Sequence, residues 1–415
     1  HLHLHHGRRD HAWIIGWDLI LEMLMAGSVI SKYWGVYLND FMRLMGWNAN
    51  TNLTFGSFHI DIAPIIIVAF FTTLLVFGTK IGARVDGAMT VLKIAIVFFV
   101  VIVGFFYVKA SNFTPFIPPS QPASTVEGSS AVTGVMTQPL WQFATGMTPS
   151  VYGVPGILSG AALVFFAFIG FDVVATASEE TKNPHKNVPL GIGVGMLLII
   201  VMYMLVAVVT TGMVSYADLA KQDSPSLATA FELVGADWAA KIISFGIVLG
   251  LATVVMVLLL GLTRIVFAMS RDGLLPRGLS KTGKHGTPAA LQIVVGAVVA
   301  LVAAFFDIGV LSDMVNIGTL SAFTLVAISI PIMRKKRPDL PRAFKMPGSP
   351  WIPILIAVAN FWLMLNLSVL TWIRFVVWLV VGFAIYFGYG YWHARLGKGD
   401  LTETLSAETD KAVNG

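Results

Sequence analysis

The chain has no cysteine among its 415 residues. Disulfides and cysteine-ligated metals are thereby excluded, and the redox compartment stays open. Charge is scarce as well: Asp, Glu, Lys and Arg make up 12% of the residues, against about 25% in an ordinary soluble domain. No long polar region is present from which a second globular unit could be built. No phosphate loop, zinc-ligand spacing or catalytic triad occurs, and GKHG at Gly283–Gly286 is no P-loop. No nucleophile or acid–base pair stands beside a metal or cofactor motif, so neither an enzyme nor a bound cofactor is expected. The net charge of +5 invites a nucleic-acid reading. Its positive residues, however, cluster in short loops beside apolar runs, which is how membrane topology is encoded. No nucleic-acid partner is expected.

What is present is apolar residue in long blocks. The chain is 56% hydrophobic with a mean hydropathy of +0.79. The blocks reach the ~20 residues that cross a bilayer. Ten spans are expected, at about 12–33, 58–79, 86–108, 156–178, 190–213, 240–269, 288–306, 310–333, 351–368 and 372–392. The fold class is therefore an all-α integral membrane protein in contact with the lipid bilayer.

Orientation follows from Lys and Arg. Lys80 and Arg84, Lys182 and Lys186, Arg271 to Lys284, and Arg334 to Lys345 all fall in loops on one side of such a ten-span chain. Ala110–Gly156 has no Lys or Arg at all. The first set is expected in the cytoplasm, together with both chain ends. The Pro-, Ser-, Thr- and Gly-rich residues 110–155 are expected as an outer surface excursion. Residues 394–415 are expected as a polar, disordered cytoplasmic tail, and the transmembrane domain as 12–393. Residues 1–11 are aberrant for such a protein. His1, His3, His5 and His6 are not taken as a metal site, because a frayed terminus rarely holds one. Read one base out of frame, HLHLHHGRRD can encode Thr-Tyr-Thr-Tyr-Thr-Thr-Val-Gly-Glu-Ile.

The stretch FFAFIGFDVVATASEETKNPHKNVP, Phe165–Pro189, begins as a spanning helix and then places Gly170 and Asp172 at membrane depth. A helix break there frees carbonyls and amides. Membranes tolerate that where the break is buried in protein or lines a polar site. The two half-helices present opposite partial charges, which suits the ammonium and carboxylate of a free amino acid. Gly170 alone equally fits close helix packing. Asp172 and Glu22 are acids in or at the edge of apolar spans, where they face a cavity or partner, or serve as structural or protonated groups. Lys93 lies inside the third span, about eight residues deep, or roughly 12 Å of helical rise. Such a lysine must pair, deprotonate or snorkel, and one that exchanges its proton can couple a gradient to movement. Asn316 and Thr253 either line a cavity or make helix-packing contacts.

These residues together resemble the amino acid–polyamine–organocation superfamily, in particular bacterial members of its cationic amino acid transporter-like group. GWDLILE (Gly16–Glu22) resembles the start of that family's third helix, and Phe165–Pro189 its broken sixth helix. TRIVFAMSRDGLLP (Thr263–Pro276), NIGTLSAF (Asn316–Phe323) and KKRPDLPRAFKMP (Lys335–Pro347) resemble the end of the eighth helix, the tenth, and the loop after it. The resemblance runs from Ala12 to about Trp392. It implies a LeuT-type inverted-repeat bundle, with about 10 transmembrane helices here and 12 in the family. The missing pair is the first two. The out-of-frame reading of residues 1–10 resembles the family's sequence just before the third helix, so a truncated or frame-damaged gene model is expected.

The resemblance further implies an amino acid permease of the bacterial inner (plasma) membrane. It implies proton-coupled transport of L-amino acids by alternating access. Carbonyls of Phe166, Ala167 and Ile169 would receive the substrate ammonium beside Gly170 and Asn316, and the Phe166 ring would act as a gate. Lys93, Glu22 and Asp172 would carry the proton coupling, with the proton favoured over sodium as the coupling ion. Leu262 stands where the family often has Gln, so no particular substrate carries over. The alternatives are a non-transporting amino acid receptor or partner subunit on the same fold, or an inactive fragment. No protein partner is indicated.

Overall fold

The computed structural model describes residues 2–47, 51–55, 58–78, 83–125, 134–170, 184–222, 225–281, 288–336, 338 and 348–393. In chain order the helices are α1 Leu2–Leu44, α2 Ile62–Val76, α3 Ala83–Phe105, the short α4 Leu140–Thr145, and α5 Gly153–Val164. They continue as α6 Pro184–Met213, α7 Tyr216–Ala220, α8 Leu227–Leu233, α9 Asp237–Arg271 and α10 Ala289–Phe305. The last are α11 Ile308–Lys336, α12 Trp351–Leu365, α13 Val369–Ile385 and, after a π-turn at Tyr386–Gly390, α14 Tyr391–His393. Six are long and apolar enough to cross a membrane, and the four regions Ile62–Val76, Gly153–Phe168, Ala289–Phe305 and Trp351–Leu365 are shorter apolar helices. Each coincides with an expected span.

The differences lie at helix ends. The first helix runs Leu2–Leu44 rather than 12–33. The second expected span opens with a β-hairpin, Asn52–Phe55 paired with Phe58–Asp61, before α2 begins. Hydropathy marks only the part of a helix that hydrocarbon surrounds, so a polar extension leaves no signal.

The helix α1 lies at the centre of the bundle. Two thirds of its most apolar window is buried, against 6% for α6 and 11% for α3. It packs on α9 and α11. A Cβ built on Gly16 would meet Met269 Sδ at 2.8 Å, one on Gly261 would meet Met23 Sδ at 3.6 Å, and one on Gly27 would meet Leu258 Cβ at 3.9 Å. These pairs fix an antiparallel register between α1 and α9. Against α11 the register is set by Gly318, where an added Cβ would lie 3.1 Å from Leu21. Small residues let such helices approach closely where lipid offers no hydrophobic drive.

The N-terminal half of α1 is closed over by aromatic rings. Trp13 stacks on Trp17 at 5.5 Å and on Tyr386 at 5.4 Å, and Trp17 stacks on Trp378 at 4.4 Å. The Trp17 indole N–H donates to the Trp378 carbonyl at 3.0 Å. At its other half, Lys32 donates to the Ala303 carbonyl at 2.9 Å and pairs with Asp61 at 3.5 Å, tying α1 to α10 and to the start of α2.

Residues 136–141 are docked on the turn between α12 and α13. Leu140 N–H donates to the Leu367 carbonyl, Val369 N–H to the Gln138 carbonyl, and Leu370 N–H to the Met136 carbonyl. The Trp141 indole N–H donates to Asn366 Oδ1 at 2.9 Å. The excursion therefore leads into α5 from a fixed anchor.

Candidate functional site: the end of helix α5

The α-helix of α5 stops at Val164. A 3₁₀ turn, Phe165–Phe168, follows, with Ile169 extended (φ −66°, ψ 139°) and Gly170 at φ +120°. That last conformation is costly for any residue with a Cβ. Among the described residues, a Cβ added at Gly170 would meet nothing within 4 Å. The positive φ makes glycine a backbone requirement of the turn at this position. Asp172 lies outside the described residues.

Leaving the α-helix strands carbonyls that would have accepted from residues four further on. The Leu163 carbonyl is one, and Asn316 of α11 reaches it: Asn316 Nδ2 donates to it at 3.0 Å. Asn316 is fully buried, and its Oδ1 has no hydrogen-bond partner among the described residues. Phe166 accepts from the Ile169 N–H at 3.1 Å, closing the turn. The Ala167 carbonyl accepts the Tyr203 hydroxyl of α6. Two of the three carbonyls expected to receive an ammonium thus hold a protein donor here, and each keeps a second lone pair.

Side chains fix the turn from both sides. Phe166 and Ile169 rest on Ala26 and Val29 of α1 and on Leu311 and Val315 of α11. Phe165 meets Phe323 edge-on at 5.9 Å, and Phe168 meets Tyr203 edge-on at 5.0 Å. The turn is therefore held at the level of α1 residues 25–29. Glu22, 1% exposed, lies about one helical turn away along α1.

Lys93 is half-buried on α3, and its stem lies along Gly250 of α9, where an added Cβ would meet Lys93 Cγ at 3.2 Å and Cε at 3.7 Å. Thr253, the other polar residue noted in that span, donates to the Gly250 carbonyl at 2.9 Å and so is bonded within its own helix. In the α9 register Lys93 sits opposite Gly250 and Glu22 near Gly261. That is about 11 residues, or roughly 16 Å of helical rise, so the two occupy different levels of the bundle.

Three residues that matter to this region were not singled out from sequence. Tyr203 and Ser321 carry no sequence signal, being ordinary polar residues in apolar helices. Asp18 did carry one: it is a charge inside the same apolar run as Glu22, spaced i, i+4 from it, and it is 1% exposed.

Replacing Asn316 with Ala is expected to remove the donor from the part-buried Leu163 carbonyl, costing about 1 kcal/mol. A lowered melting temperature of the purified protein in detergent checks this. An unchanged melt and unchanged substrate affinity would show that the turn holds without Asn316.

A sequence profile described as amino acid permease matches residues 11–390. Over 395 residues the chain is 40% identical to the branched-chain amino acid permease BcaP of Bacillus subtilis (strain 168), covering 93% of this chain and 78% of that one. It is 36% identical over 393 residues to the methylthioribose transporter of the same organism, with the same 93% and 78% covered. It is also 33% identical over 333 residues to the vacuolar cationic amino acid transporter 4 of Arabidopsis thaliana, covering 79% of this chain and 51% of that one.

Proposed function

Because this chain belongs to the amino acid permease family, a family of multi-pass membrane transporters and not of enzymes, we propose that it carries uncharged L-amino acids across a bacterial plasma membrane. The transport is proton-coupled and proceeds by alternating access. The observation that carries the reading is the turn at Phe165–Gly170, held open by Asn316 on the Leu163 carbonyl. A substrate ammonium at this turn meets carbonyl lone pairs of Phe166, Ala167 and Ile169, together with Asn316 Oδ1, which has no partner among the described residues. The wall behind the turn is apolar, formed by Ala26, Val29, Leu311 and Val315. Such a wall favours an aliphatic substrate side chain over a cationic one, because a buried charge without a partner is costly. The branched-chain permease of Bacillus subtilis among the relatives supports the same class. The basic ends of α9 and α11, Arg271 and Arg334 to Lys336, support placing those ends in the cytoplasm.

Uptake of labelled leucine, isoleucine, valine, lysine, arginine and methylthioribose into proteoliposomes tests the reading. Saturable uptake of the branched-chain amino acids is expected, with lysine and arginine at least about 10-fold weaker, equivalent to ~1.4 kcal/mol of discrimination. A preference for the cations would overturn the substrate class. Saturable uptake of methylthioribose alone would overturn the amino acid reading.

A further inference from the structure

We propose that Asp18 is a second proton-bearing carboxyl. With Glu22 it forms a relay along α1 that links the α5 turn to the N-terminal end of that helix. The proposal rests on the proton-coupled reading above and deepens it.

Four observations carry it. Asp18 is 1% exposed, inside an apolar transmembrane helix. Its donor among the described residues is weak: Ser321 Oγ of α11 reaches Oδ2 at 3.4 Å, and Oδ1 has no hydrogen-bond partner among the described residues. No ion pair among the described residues reaches it. Finally, it stands one turn from Glu22 on the same face of α1, an i, i+4 spacing that puts the Cβ atoms about 6 Å apart. A carboxylate so poorly solvated is costly to keep charged, whereas the carboxylic acid is not.

The charged groups of the packed helices lie elsewhere. Arg264 and Arg271 of α9 are exposed. On α11 the group facing Asp18 is Ser321. The titratable group one turn away on its own helix is Glu22.

The step conserves charge. A proton on Asp18 passes to the Glu22 carboxylate, directly or through one water, leaving Asp18 as carboxylate and Glu22 as acid. Asp18 is then reloaded from the N-terminal side of α1. In this conformation the stacked Trp13, Trp17 and Trp378 close that side. Reloading therefore waits on their opening, which is what alternating access requires of a coupling proton.

A purely structural Asp18 would only tether α1 to α11 through Ser321. Asp18→Asn separates the two roles, because an amide still accepts from Ser321 but carries no proton. For the full chain in proteoliposomes, Asp18→Asn is expected to cut gradient-driven substrate accumulation at least about 10-fold and to flatten its pH profile. Substrate-induced thermal stabilisation serves as the check on folding. Ser321→Ala is the second variant. It removes the hydrogen bond at Asp18 Oδ2, so the pH profile is expected to differ from that of the unaltered protein. A wild-type profile and accumulation in both variants would overturn the relay. If Lys93→Ala abolishes gradient dependence while Asp18→Asn keeps it, the relay alone fails. If the unaltered protein accumulates substrate regardless of the gradient, the coupling reading fails and the relay with it.

Discussion

Lys93→Ala is expected to reduce gradient-driven accumulation to simple equilibration, while leaving the protein folded. Lys93 lies within α3 with its stem against Gly250 of α9. Its ammonium and neutral amine differ greatly in solvation cost at that depth, so gaining or losing the proton shifts the balance between arrangements of α3 and α9. The available drive is large. One proton per substrate is worth ~1.4 kcal/mol for each pH unit, a factor of about 10 in accumulation. It is worth ~2.3 kcal/mol for each 100 mV, a factor of about 50. Without the titrating group both factors fall to one. Measuring the internal-to-external substrate ratio in proteoliposomes with an imposed pH step and a potassium-diffusion potential checks this. A variant that still accumulates substrate in proportion to the gradient would remove Lys93 from coupling. Gly250→Leu is the companion variant: it fills the groove that receives the Lys93 stem and is expected to impair turnover with Lys93 intact.

The second large effect is expected at Phe166. Its ring packs from the turn onto Ala26, Val29, Leu311 and Val315, across the α1–α11 seam. Phe166→Ala removes that contact and opens the turn to solvent. A buried Phe-to-Ala change costs about 3–5 kcal/mol, and Phe166 is only half-buried, so a smaller effect is expected. A KM raised about 10- to 100-fold corresponds to ~1.4–2.8 kcal/mol. If the ring acts as a gate, bound substrate also dissociates faster, and Phe166→Leu restores part of the retention. Binding and flux equal to those of the unaltered protein would discard the gate.

Much of the architecture was legible in the residues, because hydrocarbon imposes a length and a polarity that composition records. The blocks that became α2, α3, α9 and α10 could be bounded to within a few residues. The loss of α-helix after Val164 was foreshadowed by Gly170, whose φ of +120° only glycine adopts readily. The extension of α1 to Leu44 and the hairpin at Asn52–Asp61 were not foreshadowed. Both lie where water replaces lipid as the neighbour and hydropathy no longer constrains the chain. Asp18 was within reach, since its i, i+4 relation to Glu22 is a matter of spacing alone.

The candidate site divides along the same line. The sequence by itself determined that the protein crosses a membrane, that its helices carry a few costly polar groups, and that one helix breaks near Gly170. Each of these is a local property of composition and backbone conformation. The tertiary structure alone decided what the polar groups do. Asn316 holds a carbonyl 153 residues away, and Tyr203 holds one 36 residues away. Ser321 reaches Asp18 across 303 residues, and Gly250 receives the stem of Lys93. In lipid these pairings come from which helix faces approach closely enough, and that is set by small residues such as Gly318 and Gly250 meeting the side chains of another helix. No local pattern in a single helix records its partner.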